Sequence, residues 1–587
     1  STTGRTENTP MSRPGSPTSL PSTIARLATL ASVAAFAVAI YGPTLDLPFI
    51  GDDYIFLDKT RAAGFADLWS FRNVDFGWYR PWSREFYFWV LQPAGGGHEV
   101  AFRTLSVCLW LTALSLYAAI VERFASVRVA AYATLGVASL ALWGAPLLWI
   151  SGSQDLWMLC FTLASLLLFV AGRPGWSAVP FVLGLLSKET AGVLPALLAA
   201  YLLILERRRL ADAMRRTLHL WLLLFAWLAV HPTLRDRLLS PAQGSPEVDQ
   251  RPALLVTLGK TLLSTLSLDR WPRPQDVEGE DVVRWVASSL LLAAGVAIAA
   301  RAREGAERPG SSPAGTRALA SFALAWMAFG WLPLFLPSIA WHAYYGCLGA
   351  LGAWLLLALW LRDRPRVAVA AVACLALLRG AQAATPSWDW GSEWYQRRAG
   401  HLLTAIREDL QREHPVLPSH SRVFFGNVPN NIGLIAGQSP AIRVWYRNPT
   451  LEAGFYSWYR PRRSSEPPGE DYFFRLDTLR GLVEIMAGPE DIPVSLRSNA
   501  DWESDHEKLA MLFLRSGDTR RAAIEFEKLS GLPHRPDAAG FAAVCWEAVR
   551  DSARAESLFH EARARMHLSR DQLEGWAMNL RGSMPGR

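Results

Sequence analysis

The strongest constraint in this sequence is a succession of apolar runs, each of which approaches the thickness of a lipid bilayer. A helix needs about 20 mainly apolar residues to cross roughly 30 Å of hydrocarbon. About eleven segments approach that length, and 51% of the 587 residues are hydrophobic. The sequence therefore predicts an α-helical polytopic membrane protein with about 11 transmembrane helices. These segments are 24–42, 103–121, 129–150, 155–171, 175–187, 189–205, 217–231, 284–300, 318–336, 344–361 and 367–383.

Two segments leave alternatives open. The run 175–187 is the shortest of the eleven and can form a bent pair with 189–205 instead of a separate span. The run 252–268 is amphipathic, and we expect it to lie along the membrane interface. A true span at 252–268 would invert the orientation of every later segment.

The connections between these segments differ in charge. Five of them carry fifteen Arg in all, whereas the alternate connections 151–154 and 337–343 carry none. Because positively charged connections stay in the cytoplasm, the sequence places the first loop, the 232–283 loop and the region after 384 outside. The Arg-rich connections are 122–128, 172–175, 206–216, 301–317 and 361–366.

The N-terminal segment differs in composition from the first apolar run. Residues 1–23 are rich in Ser, Thr, Pro and Gly and have no apolar periodicity, so we predict a disordered cytoplasmic tail. The run 24–42 lacks the short apolar core and small-residue cleavage site of a signal peptide. We interpret it as a retained first span.

Composition narrows the range of partners and cofactors. The five cysteines show no metal-ligand spacing, and four of them lie inside predicted spans. The net charge of +7 comes mostly from the inner connections, so we expect no nucleic-acid partner. No Gly-rich phosphate-cradling motif is present, which argues against a soluble nucleotide donor bound by such a fold.

The first outer loop, 43–100, concentrates residues of chemical interest. Between 65 and 89 it holds eleven aromatic residues with interleaved arginines. Such a stretch is typical of the headgroup level, where we expect one or two in-plane helices. An aromatic belt explains the rings equally well. Arg80 and Arg84 are candidates for holding a phosphate, because a guanidinium matches phosphate geometry, although interfacial anchoring also fits them.

Asp52 and Asp53 begin this loop, directly after the first span. An acid at a helix start satisfies free backbone N–H groups, so helix capping is one interpretation. A cap normally uses one acid, however, and the second carboxylate faces a loop rich in cations. A carboxylate placed there is a candidate general base.

Other ionisable residues recur at the outer ends of later spans. Asp155 lies between the third and fourth segments, and Lys188 with Glu189 lies between the fifth and sixth. Ionisable groups at membrane depth are functional candidates, although a helix cap or a mutual ion pair would also explain them. A third outer turn contributes His342, Tyr344 and Tyr345.

These outer turns offer acids, cations and phenols to one extracytoplasmic cavity. That set suits sugar transfer from a lipid phosphate. The cations would hold the anionic leaving group, and an Asp would take the proton of an acceptor hydroxyl that attacks the anomeric carbon.

The order of these motifs resembles the GT-C glycosyltransferases, and in particular their protein O-mannosyltransferase-like branch with tetratricopeptide repeats. The resemblance rests on the acidic pair after the first span, "YRP" in the first loop, an acid after the third span, "LLSKE" and a Tyr-rich outer turn. It covers roughly 24–383 together with the C-terminal tail. It implies a polyprenyl-phosphate-linked sugar donor, inversion at the anomeric carbon, and a catalytic base at Asp52 or Asp53.

Departures from the family pattern keep some assignments open. Many relatives have Asp-Glu where this chain has Asp-Asp, so the resemblance does not choose between Asp52 and Asp53. Relatives often have Arg where this chain has His342. Relatives that use a diphosphate donor can need a divalent metal bound by such acids, so a metal is a possible cofactor and no other is expected.

The region after 384 changes to a soluble composition. We predict a small extracytoplasmic α/β region over 384–500, with short strands at 421–431 and 441–446. Over 501–587 the pattern is helical, and 517–526 matches 550–559 at a spacing of 33. That spacing is close to the tetratricopeptide period of 34, although an ordinary helical hairpin also fits. Since stacking usually needs about three repeats, the α/β region or the membrane domain would cap the two units.

Together these features predict a membrane hexosyltransferase with a transmembrane domain over 24–383. It would transfer a sugar from a polyprenyl-phosphate donor in the membrane to a protein, glycan or lipid hydroxyl on the extracytoplasmic side. Asp52 or Asp53 would be the base and Asp155 would support the acceptor or a metal. The substrate-binding set would be Arg80, Arg84, Lys188, Glu189, His342, Tyr344 and Tyr345.

Three other functions compete with this prediction: a ligase for lipid-linked glycans, a flippase, and a non-enzymatic scaffold that uses only the repeats. A flippase would need polar residues through the middle of the spans, and a scaffold would leave Asp52, Asp53, Asp155 and Lys188 without a role. The abundance of Arg, Ala, Pro and Gly with only five Lys is typical of a bacterial source, hence an inner membrane with a periplasmic C-terminal region.

Overall fold

The computed structural model shows a helical membrane domain followed by a small sheet and a set of helical hairpins. It describes residues 20–75, 77–94, 98–234, 253–302, 313–336, 341–387, 392–426, 428, 439–455, 462, 465–477, 480–484, 502–515, 517–532 and 535–566. Most of the predicted tail therefore lies outside the described residues.

The membrane domain is built from helices because hydrocarbon offers no partner to a free backbone N–H or C=O group. Its α-helices are α1 (Ser22–Tyr41), α2 (Asp52–Arg61), α3 (Tyr87–Ala94), α4 (Glu99–Phe124), α5 (Val127–Ala138), α6 (Gly144–Leu148), α7 (Gln154–Val170), α8 (Ala178–Leu185), α9 (Leu194–Ile204), α10 (Leu210–Val230), α11 (Leu254–Ser264), α12 (Gly279–Ala300), α13 (Pro313–Trp331), α14 (Cys347–Leu361) and α15 (Pro365–Ala383).

Eight helical segments in the described part of the chain are long and apolar enough to cross a membrane, which confirms a polytopic membrane protein. The helix pair Val127–Ala138 and Ala141–Leu148 makes a ninth span if it is counted as one, with a bend of 60°. The eight are Ser22–Thr44, Glu99–Phe124, Ile150–Val170, Leu210–Val230, Gly279–Ala300, Gly315–Phe335, Ala343–Leu361 and Pro365–Ala383.

When the bent pair counts as one span, nine of the eleven predicted segments are long and apolar enough to cross, and the other two are helical but short. The segment 175–187 yields only α8, and 189–205 yields the short apolar helix Glu189–Ile204. The break between them falls at Lys188, whose backbone is extended (φ −163°, ψ 142°). A polar lysine thus interrupts what would otherwise be a longer apolar helix.

The amphipathic segment 252–268 forms α11, which has 11 residues. Its length is roughly 16 Å, about half of the hydrocarbon thickness. Leu254, Leu255 and Val256 are exposed, while Thr257 and Thr261 are buried. The helix is therefore too short to span, and its exposed leucines fit the interfacial position that the sequence predicts.

Helices α13 and α14 approach each other closely through glycines. A Cβ added at Gly352 would lie 2.4 Å from the backbone N of Met327, and one at Gly330 would lie 2.4 Å from the backbone N of Gly349. Small residues allow this backbone approach, which is how helices associate in a membrane, where apolar surface alone gives little preference.

The C-terminal region begins with α16 (Glu393–Glu413) and a four-stranded sheet. The strands are β1 (Arg422–Gly426), β2 (Glu452–Phe455), β3 (Asp471–Asp477) and β4 (Gly481–Glu484), in the order β2-β1-β3-β4. Strand β1 pairs in parallel with β2 and β3, and β3 pairs antiparallel with β4. The strand predicted at 421–431 is confirmed over Arg422–Gly426.

The strand predicted at 441–446 is wrong. Those residues belong to the helix α17 (Pro440–Tyr446). Pro440 occupies the first turn, where its fixed φ favours a helix and its missing N–H is not needed. Ile442 is buried against the sheet, so the apolar residues of this segment form one buried face of a short helix.

The last part of the chain forms the antiparallel helices α18 (Trp502–Arg515), α19 (Thr519–Ser530), α20 (Pro536–Ala548) and α21 (Ser552–Met566). Two aspartates that are 33 residues apart cap two of these helices in the same way. Asp518 accepts a hydrogen bond from the N–H of Arg521, and Asp551 accepts one from the N–H of Arg554. The repeat is thus visible as two helical hairpins, and their assignment as tetratricopeptide repeats stays a prediction.

The sheet region contacts the first loop through α17. Arg443 pairs with Asp58 of α2 at 3.2 Å, and the indole N–H of Trp445 donates to the Tyr54 hydroxyl at 3.1 Å. Arg61 donates to the carbonyl of Arg443 at 2.8 Å. The C-terminal region therefore supports the helix that carries the acidic pair.

We expect Gly352→Ala to lower thermal stability, because the new methyl meets backbone rather than a movable side chain. Overpacking of this kind costs about 1–3 kcal/mol. The matched control is Gly259→Ala in α11, where a Cβ meets nothing within 4 Å. Thermal unfolding of each purified variant in detergent gives its melting temperature, which is compared with that of wild type. Equal melting temperatures for the two variants would contradict close packing of α13 on α14.

Candidate active site

The acidic pair lies at the start of α2, as the sequence predicts for a helix cap. Gly51 precedes it with φ +54°, a conformation that favours glycine, and this residue turns the chain into the helix. Asp52 and Asp53 both fall in the first turn. Their side chains have different surroundings, since Asp53 is fully buried and Asp52 is only half-buried.

Asp53 fixes α2 to the rest of the membrane domain. Its Oδ1 accepts from the backbone N–H of Ser151 at 2.8 Å and from the Ser151 hydroxyl at 2.5 Å, and its Oδ2 accepts from the N–H of Ile50 at 3.1 Å. Burial raises the pKa of Asp53 to about 6, against the opposing effect of these hydrogen bonds. This carboxylate is therefore committed to three donors and has no contact with solvent.

The Asp52 side chain lies in different surroundings from that of Asp53. Burial raises the pKa of Tyr395, in α16, to about 12, and the charge of Asp52 adds to that rise. Asp52 therefore lies near the first turn of α16, at the junction between the membrane domain and the sheet region.

Lys188 and Asp155 form a buried ion pair. The ammonium Nζ lies 2.6 Å from both carboxylate oxygens, and the two residues are 4% and 2% exposed. One of the alternatives left open by the sequence was an ion pair of Lys188 with its neighbour Glu189, whereas the structure pairs Lys188 with Asp155. A buried pair needs this close geometry, because desolvation of both charges is costly.

Arg80 and Glu189 form a second pair beside the first. Arg80 Nη2 lies 2.6 Å from Glu189 Oε2, and its Nη1 donates to Gln154 Oε1 at 2.7 Å. Because Gln154 precedes Asp155 and Glu189 follows Lys188, the two pairs are adjacent. Four charged side chains from three parts of the chain thus meet at one end of the membrane domain, which we call the site end.

Two hydrogen bonds to main-chain carbonyls hold the first loop against the turn that contains Lys188. The N–H of Trp82 donates to the carbonyl of Leu186 at 3.2 Å, and the Ser83 hydroxyl donates to the carbonyl of Ser187 at 2.7 Å. These bonds position Arg80, two residues earlier, next to Glu189.

The Tyr-rich turn covers the Lys188 ammonium. Nζ lies 4.2 Å from the ring centroid of Tyr345 and 5.5 Å from that of Tyr344, within cation–π range. His342 stacks on Tyr344 with ring centroids 5.5 Å apart. The structure therefore brings all three aromatic candidates to the ion pair.

Arg84 is part of the first loop rather than of the charged cluster. It is buried, and its guanidinium donates to the carbonyls of Asp75 and Trp78. These bonds close the segment between 75 and 84.

Sequence reasoning missed several residues that assemble the site. Ser151 and Gln154 link Asp53 to Arg80, because the Gln154 amide also donates to the carbonyl of Ser151 at 2.7 Å. Buried His231 has Nε2 3.9 Å from Glu189 Oε1. Buried Arg103 donates to the carbonyls of Leu47, Pro48 and Leu148. His231 and Arg103 each lie at the end of an apolar run, the same signal that pointed to Asp155.

Two acids of the site, Asp53 and Asp155, already have other partners for their oxygens. Asp53 faces three hydrogen-bond donors, and both oxygens of Asp155 contact the Lys188 ammonium. A magnesium or calcium site needs several oxygen ligands that converge on one point. No group of three or more His, Cys, Asp or Glu side chains with that arrangement occurs among the described residues.

Comparisons with known proteins give likenesses at low identity. No protein-family model and no curated protein matches the chain. Among solved structures, the chain is similar to ArnT from Cupriavidus metallidurans in the apo state (13% identity, TM-score 0.36, 72% of this chain and 84% of that chain). The same enzyme bound to undecaprenyl phosphate gives 13% identity and a TM-score of 0.37, over 73% and 86% of the two chains.

A third similar structure is the Archaeoglobus fulgidus oligosaccharyltransferase in complex with Zn and sulfate. Its identity is 11% and its TM-score 0.37, over 72% of this chain and 62% of that one. All three TM-scores are below 0.5, so these likenesses leave the function to be inferred from the residues of the site.

Asp53→Asn should change how stability depends on pH. The unfolded chain titrates Asp near its ordinary pKa of 3.8, whereas folded Asp53 titrates near 6. Between these values the folded state holds a proton that the unfolded state has released, so wild-type protein loses stability as the pH rises through this window. Asparagine cannot titrate.

Thermal unfolding of both proteins from about pH 4 to pH 8 tests this prediction. The melting temperature of wild type minus that of Asp53→Asn should fall up to about pH 6 and then stay level. A difference independent of pH would contradict the assignment, whatever the overall stability of the variant.

Lys188→Met should destabilise the protein by about 3–5 kcal/mol, because it leaves Asp155 buried and unpaired. The double variant Lys188→Met/Asp155→Leu should recover most of that loss, since an apolar pair replaces both charges. Lys528→Met is the matched control, because Lys528 makes an exposed pair with Glu525, which contributes about 1 kcal/mol at most. Chemical unfolding measures the free energy of unfolding of the single variant, the double variant and the control, each relative to wild type. A double variant no more stable than Lys188→Met would refute the buried pair.

Proposed function

We propose that this protein is a membrane glycosyltransferase that transfers a sugar from a polyprenyl-phosphate-linked donor to an acceptor hydroxyl. One observation carries the proposal: Arg80, Glu189, Lys188 and Asp155 converge at the site end beside the acidic helix α2. Charges at membrane depth are costly to maintain and mark functional sites. A scaffold would not need them, and a flippase would need such groups along the middle of the spans.

Asp52 is the better candidate for the catalytic base. Asp53 is fully buried and already accepts three hydrogen bonds, so an acceptor hydroxyl cannot reach it without breaking the attachment of α2. Asp52 lies one residue earlier and is half-buried. A general base must come within hydrogen-bond reach of the proton it removes, which the partial exposure of Asp52 allows and the full burial of Asp53 does not.

Arg80 and Lys188 are the proposed contacts of the donor phosphate. Their counterions Glu189 and Asp155 keep them charged and oriented in the absence of substrate. Arg80 offers a planar guanidinium that matches phosphate geometry, and Lys188 offers a compact charge. Arg84 is not among the proposed phosphate contacts, since its guanidinium already donates to two loop carbonyls.

The proposed reaction is a displacement at the anomeric carbon. The acceptor oxygen forms a bond to that carbon while the bond from carbon to phosphate oxygen breaks. The acceptor proton passes to the carboxylate of Asp52, and the electron pair of the broken bond leaves with the polyprenyl phosphate, whose charge the two cations stabilise.

The proposed orientation puts the site end outside the cytoplasm. Asp155 lies near the start of the candidate span Ile150–Val170, and the connection 172–175, which carries Arg173, follows the other end of that span, so the two belong to opposite ends of the membrane domain. Positively charged connections are retained in the cytoplasm. The donor lipid, the acceptor and the C-terminal region would then meet on the extracytoplasmic side, with the sugar and the acceptor class still to be identified.

Asp52→Asn should abolish sugar transfer and leave folding intact. The assay uses the purified full-length protein in nanodiscs with a panel of radiolabelled polyprenyl-phosphate sugars and an extract of native membrane and periplasm as acceptor. Removal of a general base lowers turnover by about 10²- to 10⁴-fold. Asp46→Asn, the same change at an exposed position of the same loop, should keep wild-type activity. Transfer that survives in a folded Asp52→Asn protein would refute the assignment of the base.

A further inference from the structure

His231 is a buried histidine of the site end that the proposed reaction does not use. It follows the last residue of α10 and is 4% exposed. Its ring meets those of Trp227 and Tyr79 edge to face, with ring centroids 4.8 Å and 6.1 Å away. Packing against these two rings therefore fixes the plane of the imidazole.

The hydrogen bonds of the imidazole define its tautomer. Nδ1 accepts from the backbone N–H of Leu234 at 2.9 Å and from that of Thr233 at 3.3 Å. Because a ring nitrogen that accepts carries no proton, the proton of the neutral imidazole lies on Nε2. His231 therefore presents a single donor, the N–H at Nε2.

This donor is not in use. Nε2 is buried and makes no hydrogen bond within the described part of the chain. The carboxylate oxygen Oε1 of Glu189 lies 3.9 Å from it, about 1 Å beyond hydrogen-bond length. Buried donors normally have partners, so an N–H that stops short of a carboxylate needs an explanation.

Glu189 has its partner in Arg80. Arg80 Nε lies 3.0 Å from both oxygens of Glu189, and Nη2 lies 2.6 Å from Oε2. Nε and Nη2 form one of the two edges with which a guanidinium holds a phosphate. On the other edge, Nη1 already donates to Gln154 at 2.7 Å. A phosphate that binds the Nε edge of Arg80 must therefore displace the Glu189 carboxylate.

Displacement would leave Glu189 without its main donor. The side chain of Glu189 is only 10% exposed, and an unpaired buried charge is costly. Lys188 cannot replace Arg80, because its ammonium lies 2.6 Å from both oxygens of Asp155. An approach of about 1 Å, in contrast, brings Glu189 Oε1 within hydrogen-bond distance of His231 Nε2.

We propose that His231 is a positioning residue that donates a hydrogen bond to Glu189 when Arg80 leaves this carboxylate to bind a ligand phosphate. The second donor lowers the free energy that is needed to release Arg80. The role at a donor phosphate rests on the proposed function, whereas the exchange of partners at Glu189 does not.

A double-mutant cycle on chemical unfolding tests the exchange without a ligand. Arg80→Met removes the present partner of Glu189, and His231→Phe removes the second donor but keeps a ring. His231→Phe should raise the unfolding equilibrium constant about tenfold more in the Arg80→Met protein than in wild type, because only there does Glu189 depend on His231. An equal or smaller rise in the Arg80→Met protein would overturn the proposal.

Binding of sugar-free polyprenyl phosphate to the full-length protein in nanodiscs tests the role at a ligand and leaves Arg80 in place. His231→Phe should weaken binding about tenfold, because the released Glu189 then lacks a donor. His231→Gln should recover most of the affinity, since its amide nitrogen also donates. The matched control is His219→Phe, which should bind like wild type, because His219 of the same helix contacts the carbonyl of Pro174 instead.

Glu189→Gln shows whether His231 acts through Glu189. In that background His231→Phe should not weaken binding further, because no carboxylate is released. A further loss there, or equal affinities of wild type and His231→Phe, would overturn the role at the phosphate. If wild type binds no polyprenyl phosphate, the proposed function fails, and the unfolding cycle still decides whether His231 exchanges with Arg80 at Glu189.

Discussion

The three hydrogen bonds accepted by Asp53 are the interaction on which the arrangement of the site depends. They join the start of α2 to the turn before α7, so that the first loop and the membrane domain share one fixed point. From Ser151 the connection continues through Gln154 to Arg80 and Glu189. A carboxylate that is buried with all its bonds satisfied gives rigidity, whereas one with a bond missing would be costly.

Neighbouring positions in the chain thus have different tasks. Asp53 holds the helix, and Asp52 is left half-buried toward the C-terminal region. The same division separates Arg84, which closes a loop, from Arg80, which joins the charged cluster. In the proposed reaction Asp52 and Arg80 would act from this support, because a reactive group must be held in place by others that do not react.

The C-terminal region contacts the residues of the candidate site. Its helix α17 contacts α2 through Arg443 and Trp445, and Tyr395 in the first turn of α16 lies near Asp52. Substitutions at these contacts would therefore act on the position of Asp52 without touching the membrane spans. The helical hairpins at the end of the chain pack against one another and against the sheet residues Phe424 and Phe473.

The sequence by itself determined the apolar helices and the candidate polar residues at their ends, because apolar run length and rare charges within apolar segments can be seen without a structure. It did not determine which side chains pair with each other through hydrogen bonds and ion pairs. The pairing of Lys188 with Asp155 and the attachment of Asp53 to Ser151 both join residues far apart in the chain. Local pattern also misassigned 441–446, which belongs to a short helix that starts at Pro440 and packs on the sheet through Ile442. Tertiary structure decided these points, because hydrogen bonds and ion pairs depend on distances of about 3 Å that no spacing in a sequence encodes.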